Sequence, residues 1–170
     1  MIEPLTVLNS RDRDDLVALL IDSVADGSSI GYLRTPDEAE ARHYWQGVEA
    51  ELGTGSRILL VARAGDRIVG TVQLAMSWKP SAAHRAEVQK LLVHTSARRQ
   101  GLGNALMAAI EETARGLGRS LLFLDTRAGD ASNRLYVKRG YLVAGMIPGY
   151  ALGPTGIGED CVFYYKPLTT

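Results

Sequence analysis

Cysteine, surplus charge and long apolar runs are all scarce in this chain, and each scarcity removes a class of protein. The single cysteine in 170 residues, Cys161, excludes an internal disulfide and suits a reducing compartment. It sits in an apolar, strand-like stretch and reads as a packed thiol rather than a nucleophile. Lys+Arg and Asp+Glu both count 19, and a chain without basic excess is not expected to bind nucleic acid. No apolar run approaches the roughly 20 residues that cross a bilayer. The first ten residues lack the basic start and apolar stretch of a secretory signal. A cytoplasmic protein with no membrane partner is the expectation. The three histidines, His43, His84 and His94, lack metal-ligand spacing, so no metal is expected either.

What remains is a chain of ordinary globular composition, 46% hydrophobic and 22% charged, taken as one domain over 1–170. Residues 4–8 read as a first strand. Asn9 or Ser10 caps a helix reaching about Asp26, with Leu16, Leu19, Leu20 and Val24 at helical spacing. Thr35-Pro36-Asp37-Glu38 reads as a second helix start, with a cap, proline in the first turn and then acids; that helix reaches about Leu52. Residues 58–63 and 68–76 form a hairpin across Gly65-Asp66. Residues 87–93 are a strand and 102–117 a helix ending on glycines. The run 121–124 is apolar throughout, as in a strand buried on both faces. Residues 131–139 are a short helix, and 141–144 and 162–165 the last strands. The unit over 87–124 is a parallel pair with a right-handed crossover. The predicted fold class is α/β, with a mixed, mostly antiparallel sheet whose central parallel pair is flanked by helices.

The most informative stretch is residues 87–106. A strand stops at a short polar turn, and Gly101 and Gly103 then open a helix. Such a turn gathers backbone N–H groups at a helix N-terminus, where they hold an anion. Arg98 and Arg99 add positive charge at the same spot. The Walker-type loop is absent, because no Gly-Lys-Ser/Thr follows. The dinucleotide fingerprint is absent too, because its third glycine is replaced by Leu106. A pyrophosphate cradle of another kind is expected, and a glycine-rich turn that merely caps a helix is the alternative.

The wider pattern, Arg98-x-x-Gly101-x-Gly103 after a strand and Leu135-Tyr136-x-x-x-Gly140-Tyr141 later, resembles the GNAT family of N-acetyltransferases. The likeness follows the element order along nearly the whole chain and is specific over about residues 84–141. Arg85-Ala86-Glu87-Val88-Gln89-Lys90-Leu91, Leu124-Asp125-Thr126-x-Ala128-Gly129 and Pro148-Gly149-Tyr150 look most like the tabtoxin resistance acetyltransferases. The resemblance implies acetyl-CoA as co-substrate, with its pyrophosphate on backbone amides of the turn. It implies cofactor contacts from Leu91, Leu92, Val93, Arg98, Arg99, Gln100, Gly101, Leu102, Gly103, Asn104 and Tyr136, with a backbone N–H of Leu92 or Val93 on the acetyl carbonyl. Many relatives carry an asparagine seven residues before the helix tyrosine. Here that position is Gly129, and Ser132 and Asn133 are the nearby substitutes.

Acetyl transfer to an amine requires removal of a proton, polarisation of the thioester carbonyl and stabilisation of the departing thiolate. Glu87 and Asp125 are the candidates for the base. Glu87 shares a strand face with Gln89, and Asp125 follows an apolar strand at the end where open α/β sheets bind ligands. The structural alternative pairs Glu87 with Lys90 or Arg85 and has Asp125 cap a turn. Tyr136 is implied by the resemblance as general acid for the sulfur; its alternative is packing beside Tyr141. Trp78, His84, Tyr32 and Tyr150 are candidate walls of an acceptor pocket. The expected acceptor is a primary amine of a small molecule, an amino-acid-like toxin or antibiotic. A protein N-terminus or lysine, and a CoA-binding module without catalysis, remain as alternatives. A homodimer is left open.

Overall fold

The computed structural model describes residues 1–28 and 30–168. The order is β1 (Ile2–Leu5), α1 (Ser10–Ala25), α2 (Glu38–Leu52), β2 (Arg57–Ala64), β3 (Arg67–Met76), β4 (Arg85–Val93), α3 (Leu102–Gly116), β5 (Leu121–Arg127), α4 (Ser132–Lys138), β6 (Leu142–Leu152) and β7 (Gly158–Pro167). The strands form one sheet in the order β1-β2-β3-β4-β5-β7-β6. The pair β4–β5 is parallel and every other neighbour is antiparallel.

Alternation along the strands builds two cores, one on each side of the sheet. Leu60 and Ala62 of β2, with Val72 and Leu74 of β3, face α3, where Leu106, Met107, Ile110 and Ala114 lie on one buried stripe. Leu59, Val61 and Ile68 face the other way, against Leu16, Leu19 and Leu20 of α1 and Trp45 and Val48 of α2. Both α1 and α2 begin with reciprocal capping boxes, Asn9 with Asp12 and Asp37 with Glu40. The second cap is therefore Asp37 rather than Thr35, and Pro36 precedes the cap. Asp37 wins because its carboxylate reaches the N–H of Glu40.

Three strand expectations require correction. The first strand is Ile2–Leu5 rather than 4–8. The β5 strand is not buried on both faces: Leu122 and Leu124 are buried in the α3-side core, while Phe123 is half-buried and Asp125 exposed. On that side α1 and α2 pack against Leu59, Val61, Ile68 and Leu92 of β2, β3 and β4 and stop short of β5. The last two strands are ten and eleven residues long instead of four. Gly145, Pro148 and Gly149 look like breakers, yet on the edge strand β6 they are absorbed at two register shifts.

A bulge in β4 has the largest consequence for function. Gln73 opposes Gln89 and Thr71 opposes Leu92, so Val72 faces both Lys90 and Leu91. Lys90 takes φ +49 to make this turn. The extra residue reverses the faces. Val88 packs in the α3-side core, whereas Leu92, four residues on, packs against α1 and α2. Leu91 and Val93 are thereby turned toward α3.

Candidate active site

Beyond Glu87 the parallel pair separates. The β4–β5 register is Arg85↔Leu121, Ala86↔Leu122 and Glu87↔Phe123, and no pairing continues past it. Two spaces open along this parting. A groove of about 860 Å³ runs past the C-terminal end of β4, the start of α3 and one side of α4. A cavity of about 350 Å³ lies on the α1–α2 side of the strands. They share Leu91 and Ser28 as common wall.

The groove gathers most of the expected cofactor residues: Leu91, Leu92, Val93, Arg98, Arg99, Gly101, Leu102, Gly103, Asn104 and Ser132 all line it. Unlike α1 and α2, helix α3 has no side-chain cap; its N-cap is Gly101, at φ +79 and ψ 1. The first helical bond runs from Ala105 N–H to the Gly101 carbonyl, so the N–H groups of Leu102, Gly103 and Asn104 have no carbonyl behind them. The two glycines differ in role. Gly101 supplies a left-handed conformation, while a Cβ on Gly103 would meet Leu135 at 3.6 Å and Val93 at 3.9 Å, ordinary contacts. The turn is pinned from outside: Asp22 accepts from Thr95 N–H and Oγ1, each at 2.8 Å. Arg98 donates to the Val93 carbonyl and pairs with Asp26. Arg99, at φ +60, is exposed. Open amides, a cationic rim and a groove of this volume fit a pyrophosphate with its attached chain.

Three expected cofactor residues lie elsewhere, Tyr136 among them, on the neighbouring cavity. Gln100 is exposed and lines neither space. Asn133 turns inward: its amide donates to the carbonyls of Arg127 and Asp130, and its oxygen accepts from Tyr164 Oη at 2.8 Å. Its polar groups are committed to the β5–α4 turn and to β7, and it does not line the groove. Ser132 bonds Thr126 at 3.0 Å and stays on the groove.

The cavity brings Glu87, Asp125 and Tyr136 together. Neither carboxylate takes the structural alternative. Among the described residues Glu87 makes no ion pair, Arg85 stacks on Phe123 at 5.3 Å, and Asp125 lies within β5 and caps nothing. Asp125 is open to solvent, but desolvation by the cavity walls around it raises its carboxyl above the ordinary value, opposed by the positive charge of Lys90. Tyr136 is 7% exposed and packs 5.9 Å from Tyr141 and 5.7 Å from Tyr164, ring centre to ring centre. Its hydroxyl makes no hydrogen bond among the described residues. Burial, reinforced by the charges of Asp125 and Asp130, pushes its ionisation well above the ordinary phenol value. The proton therefore stays on at neutral pH, and the hydroxyl is a donor.

Tyr150, one of the candidate walls, lines the cavity from β6. Tyr32 lines an adjoining pocket, and Trp78 (86% exposed) and His84 line neither. Cys161 is buried in the cavity wall, and burial raises its thiol, which suits packing rather than attack. Sequence reasoning missed Lys90 and Arg127 in this cavity. Lys90 carried a signal, as a charge interrupting a strand, but its direction depends on the bulge.

An anion-holding turn beside a cavity with carboxylates is the arrangement an acyl-CoA-dependent transferase requires. Residues 21–141 match the model of the acetyltransferase (GNAT) family, and the chain belongs to that family. An N-acetyltransferase of Azospirillum brasilense from a hisH-hisA intergenic region is 34% identical over 131 residues, covering 74% of each chain. An L-methionine sulfoximine/L-methionine sulfone acetyltransferase of Pseudomonas paraeruginosa is 26% identical over 139 residues, covering 81% of this chain and 78% of the other. The crystal structure of a ribosomal-protein-alanine N-acetyltransferase from Brucella melitensis superposes with a TM-score of 0.81, at 25% identity and 99% coverage of both chains. The chain is an acetyl-CoA-dependent N-acetyltransferase. No helix among the described residues is long and apolar enough to cross a membrane.

Proposed function

We propose that the protein acetylates the primary amine of a small, amino-acid-like molecule. The observation that carries this reading is the junction at Leu91, where the groove at the start of α3 meets a cavity whose two carboxylates form no ion pair among the described residues. A volume of about 350 Å³ suits an amino-acid-sized acceptor. The relative named for L-methionine sulfoximine and L-methionine sulfone supports the same class.

In this reading acetyl-CoA supplies the activated acetyl group as a thioester. The amides opening α3 and Arg99 hold its pyrophosphate. A backbone N–H of Leu92 or Val93, beside the bulge, meets the acetyl oxygen and stabilises the charge that develops there. Asp125, raised by desolvation, takes the proton of the incoming amine directly or through one water. Glu87, on the same strand face and across the parting, holds the amine by charge. Tyr136 donates a hydrogen bond to the departing sulfur. Its raised ionisation makes it a weaker acid than a simple thiol, so donation rather than complete proton transfer is its contribution.

A homodimer through β6 belongs to the same reading. The eleven residues Leu142–Leu152 carry no charge, and Leu142, Val143, Met146, Ile147, Tyr150 and Leu152 are 46–58% exposed. Each leaves on the order of 100 Å² open, so together they approach the roughly 800 Å² per partner of a standard interface. An uncharged strand meets its own copy across a two-fold axis without like-charge repulsion. Ile147→Asp should shift the protein from dimer to monomer by light scattering; an unchanged mass would remove this part.

The test of the activity is acetyl-CoA-dependent thiol release with L-methionine sulfone, L-methionine sulfoximine, tabtoxinine-β-lactam, polyamines, aminoglycosides and short peptides. Release with the amino-acid-like group is the expected result. Release with peptides alone would replace the acceptor class, and no release from folded protein would favour a CoA-binding module.

A further inference from the structure

Lys90 has no task in the chemistry described so far, and its surroundings are unusual. It occupies the β4 bulge at φ +49 and lines the cavity. Its Nζ donates to the Ile30 carbonyl at 2.8 Å and lies 5.5 Å from the centre of the Tyr44 ring. No carboxylate forms an ion pair with it among the described residues. The other lysine or arginine of the cavity wall, Arg127, is engaged with Asp130 and Glu159. Arg57, nearby, is spent on Glu51, Gln73 and Gln89. A half-buried ammonium held by one carbonyl and one ring face retains donor capacity, and a cation in such a place is costly unless something anionic completes it.

We infer that Lys90 binds the anionic group of the acceptor, so that the cavity selects molecules carrying both an amine and an acid. The charges lining the cavity fit a zwitterion: Glu87 and Asp125 are open to the amine, and Lys90 is open to a carboxylate or similar oxyanion. Burial lowers the Lys90 ammonium, with Arg57 adding to the effect, while Asp125 and Glu87 oppose it. A bound oxyanion would add to that opposition. The bulge explains why the group is present: the extra residue turns a strand side chain toward the strand parting, where the amine must react. This inference rests on the proposed acceptor class and goes beyond it by naming the residue that reads the acid.

The test compares L-methionine sulfone with its primary carboxamide, which keeps the amine and removes the charge. The wild-type enzyme should favour the acid by about tenfold or more in kcat/KM, because a polar group built to meet a partner rejects the analogue lacking it. Lys90→Met, which keeps an apolar stem of similar length, should bring the two acceptors within about threefold while the KM for acetyl-CoA stays unchanged. Lys90→Arg should retain most of the preference. If Lys90 only straps the Ile30 segment, Lys90→Met will lower both acceptors equally and the ratio will survive, which overturns the inference. A wild-type enzyme that acetylates acid and amide equally overturns it without any variant, and leaves the proposed activity standing. Turnover confined to polyamines or aminoglycosides removes the acceptor class and this inference together.

Discussion

Replacing Gly101 by asparagine and, separately, by aspartate isolates the charge sensed at the start of α3. Gly101 stands at φ +79, and a Cβ there would meet nothing within 4 Å, so neither side chain collides with the protein. Asn and Asp tolerate the left-handed region better than other residues. The shared cost to folding is on the order of 1 kcal/mol, which lowers Tm by about 2–4 °C for a chain of this size. The two variants then differ almost only by one negative charge on the groove wall. Against the two charges of a pyrophosphate at roughly 5 Å, a solvent-like dielectric gives about 1.7 kcal/mol of repulsion. That corresponds to an acetyl-CoA Kd some fifteen- to twentyfold weaker for aspartate than for asparagine. Calorimetric titration at low and at high salt is the assay. The gap should shrink at high salt, because the Debye length falls to about 3 Å at 1 M. Equal affinities at low salt would refute the cradle, since no charge at Gly101 could then lie near the pyrophosphate.

Further expectations concern the catalytic groups and the core. Tyr136→Phe should lower kcat by about a hundredfold or more, while the Kd for acetyl-CoA and Tm stay near wild type, because the hydroxyl bonds no described residue; retained turnover would remove its role at the sulfur. Asp125→Asn tests a pH linkage. Its folded carboxyl is raised above the unfolded value, so ionisation costs stability that is absent below the unfolded pKa and fully present above the folded one. The Tm of the variant relative to wild type should therefore increase from pH 3 to pH 8, while kcat/KM falls and loses its acid limb; a relative Tm that declines with pH would contradict the sign. Glu111, 3% exposed at the side chain, bonds Arg139 and Lys166 at 2.8 Å and ties α3 to the end of α4 and to β7. Glu111→Gln leaves both cations short of a counter-charge and should cost about 3–5 kcal/mol, seen as a Tm loss of roughly 6–20 °C; a loss under 3 °C would show that the cluster is well solvated.

The local signals in the chain determined the elements whose causes are local. The Asn9 cap of α1, the Gly65-Asp66 turn and the apolar stripe of α3 each depend on residues within one or two turns of one another, and each is found where those residues stand, while the cap of α2 moved two residues, from Thr35 to Asp37. The Gly101-x-Gly103 turn is of the same kind. Its conformation follows from glycine and its open amides follow from starting a helix without a capping side chain, so the turn and the family were legible before any fold was known. Glu87 and Asp125 were legible as charges out of place in apolar strands.

The tertiary structure decided what depends on partners distant in sequence. The β4 bulge exists because β4 places two residues, Lys90 and Leu91, opposite Val72 of β3, a count that neither strand carries alone. The same bulge set the direction of Lys90 and sent Leu92 to the opposite core from Val88. The open face of β5 was decided by where α1 and α2 end, which turned an apolar run into the wall of a cavity. The partners of Asn133 were likewise set at a distance: the carbonyls of Arg127 and Asp130, and Tyr164 from β7, hold its amide. Periodicity reports which residues prefer to be covered. What covers them, and which polar group is left facing a cavity, is settled only when strands far apart in sequence fix each other's register.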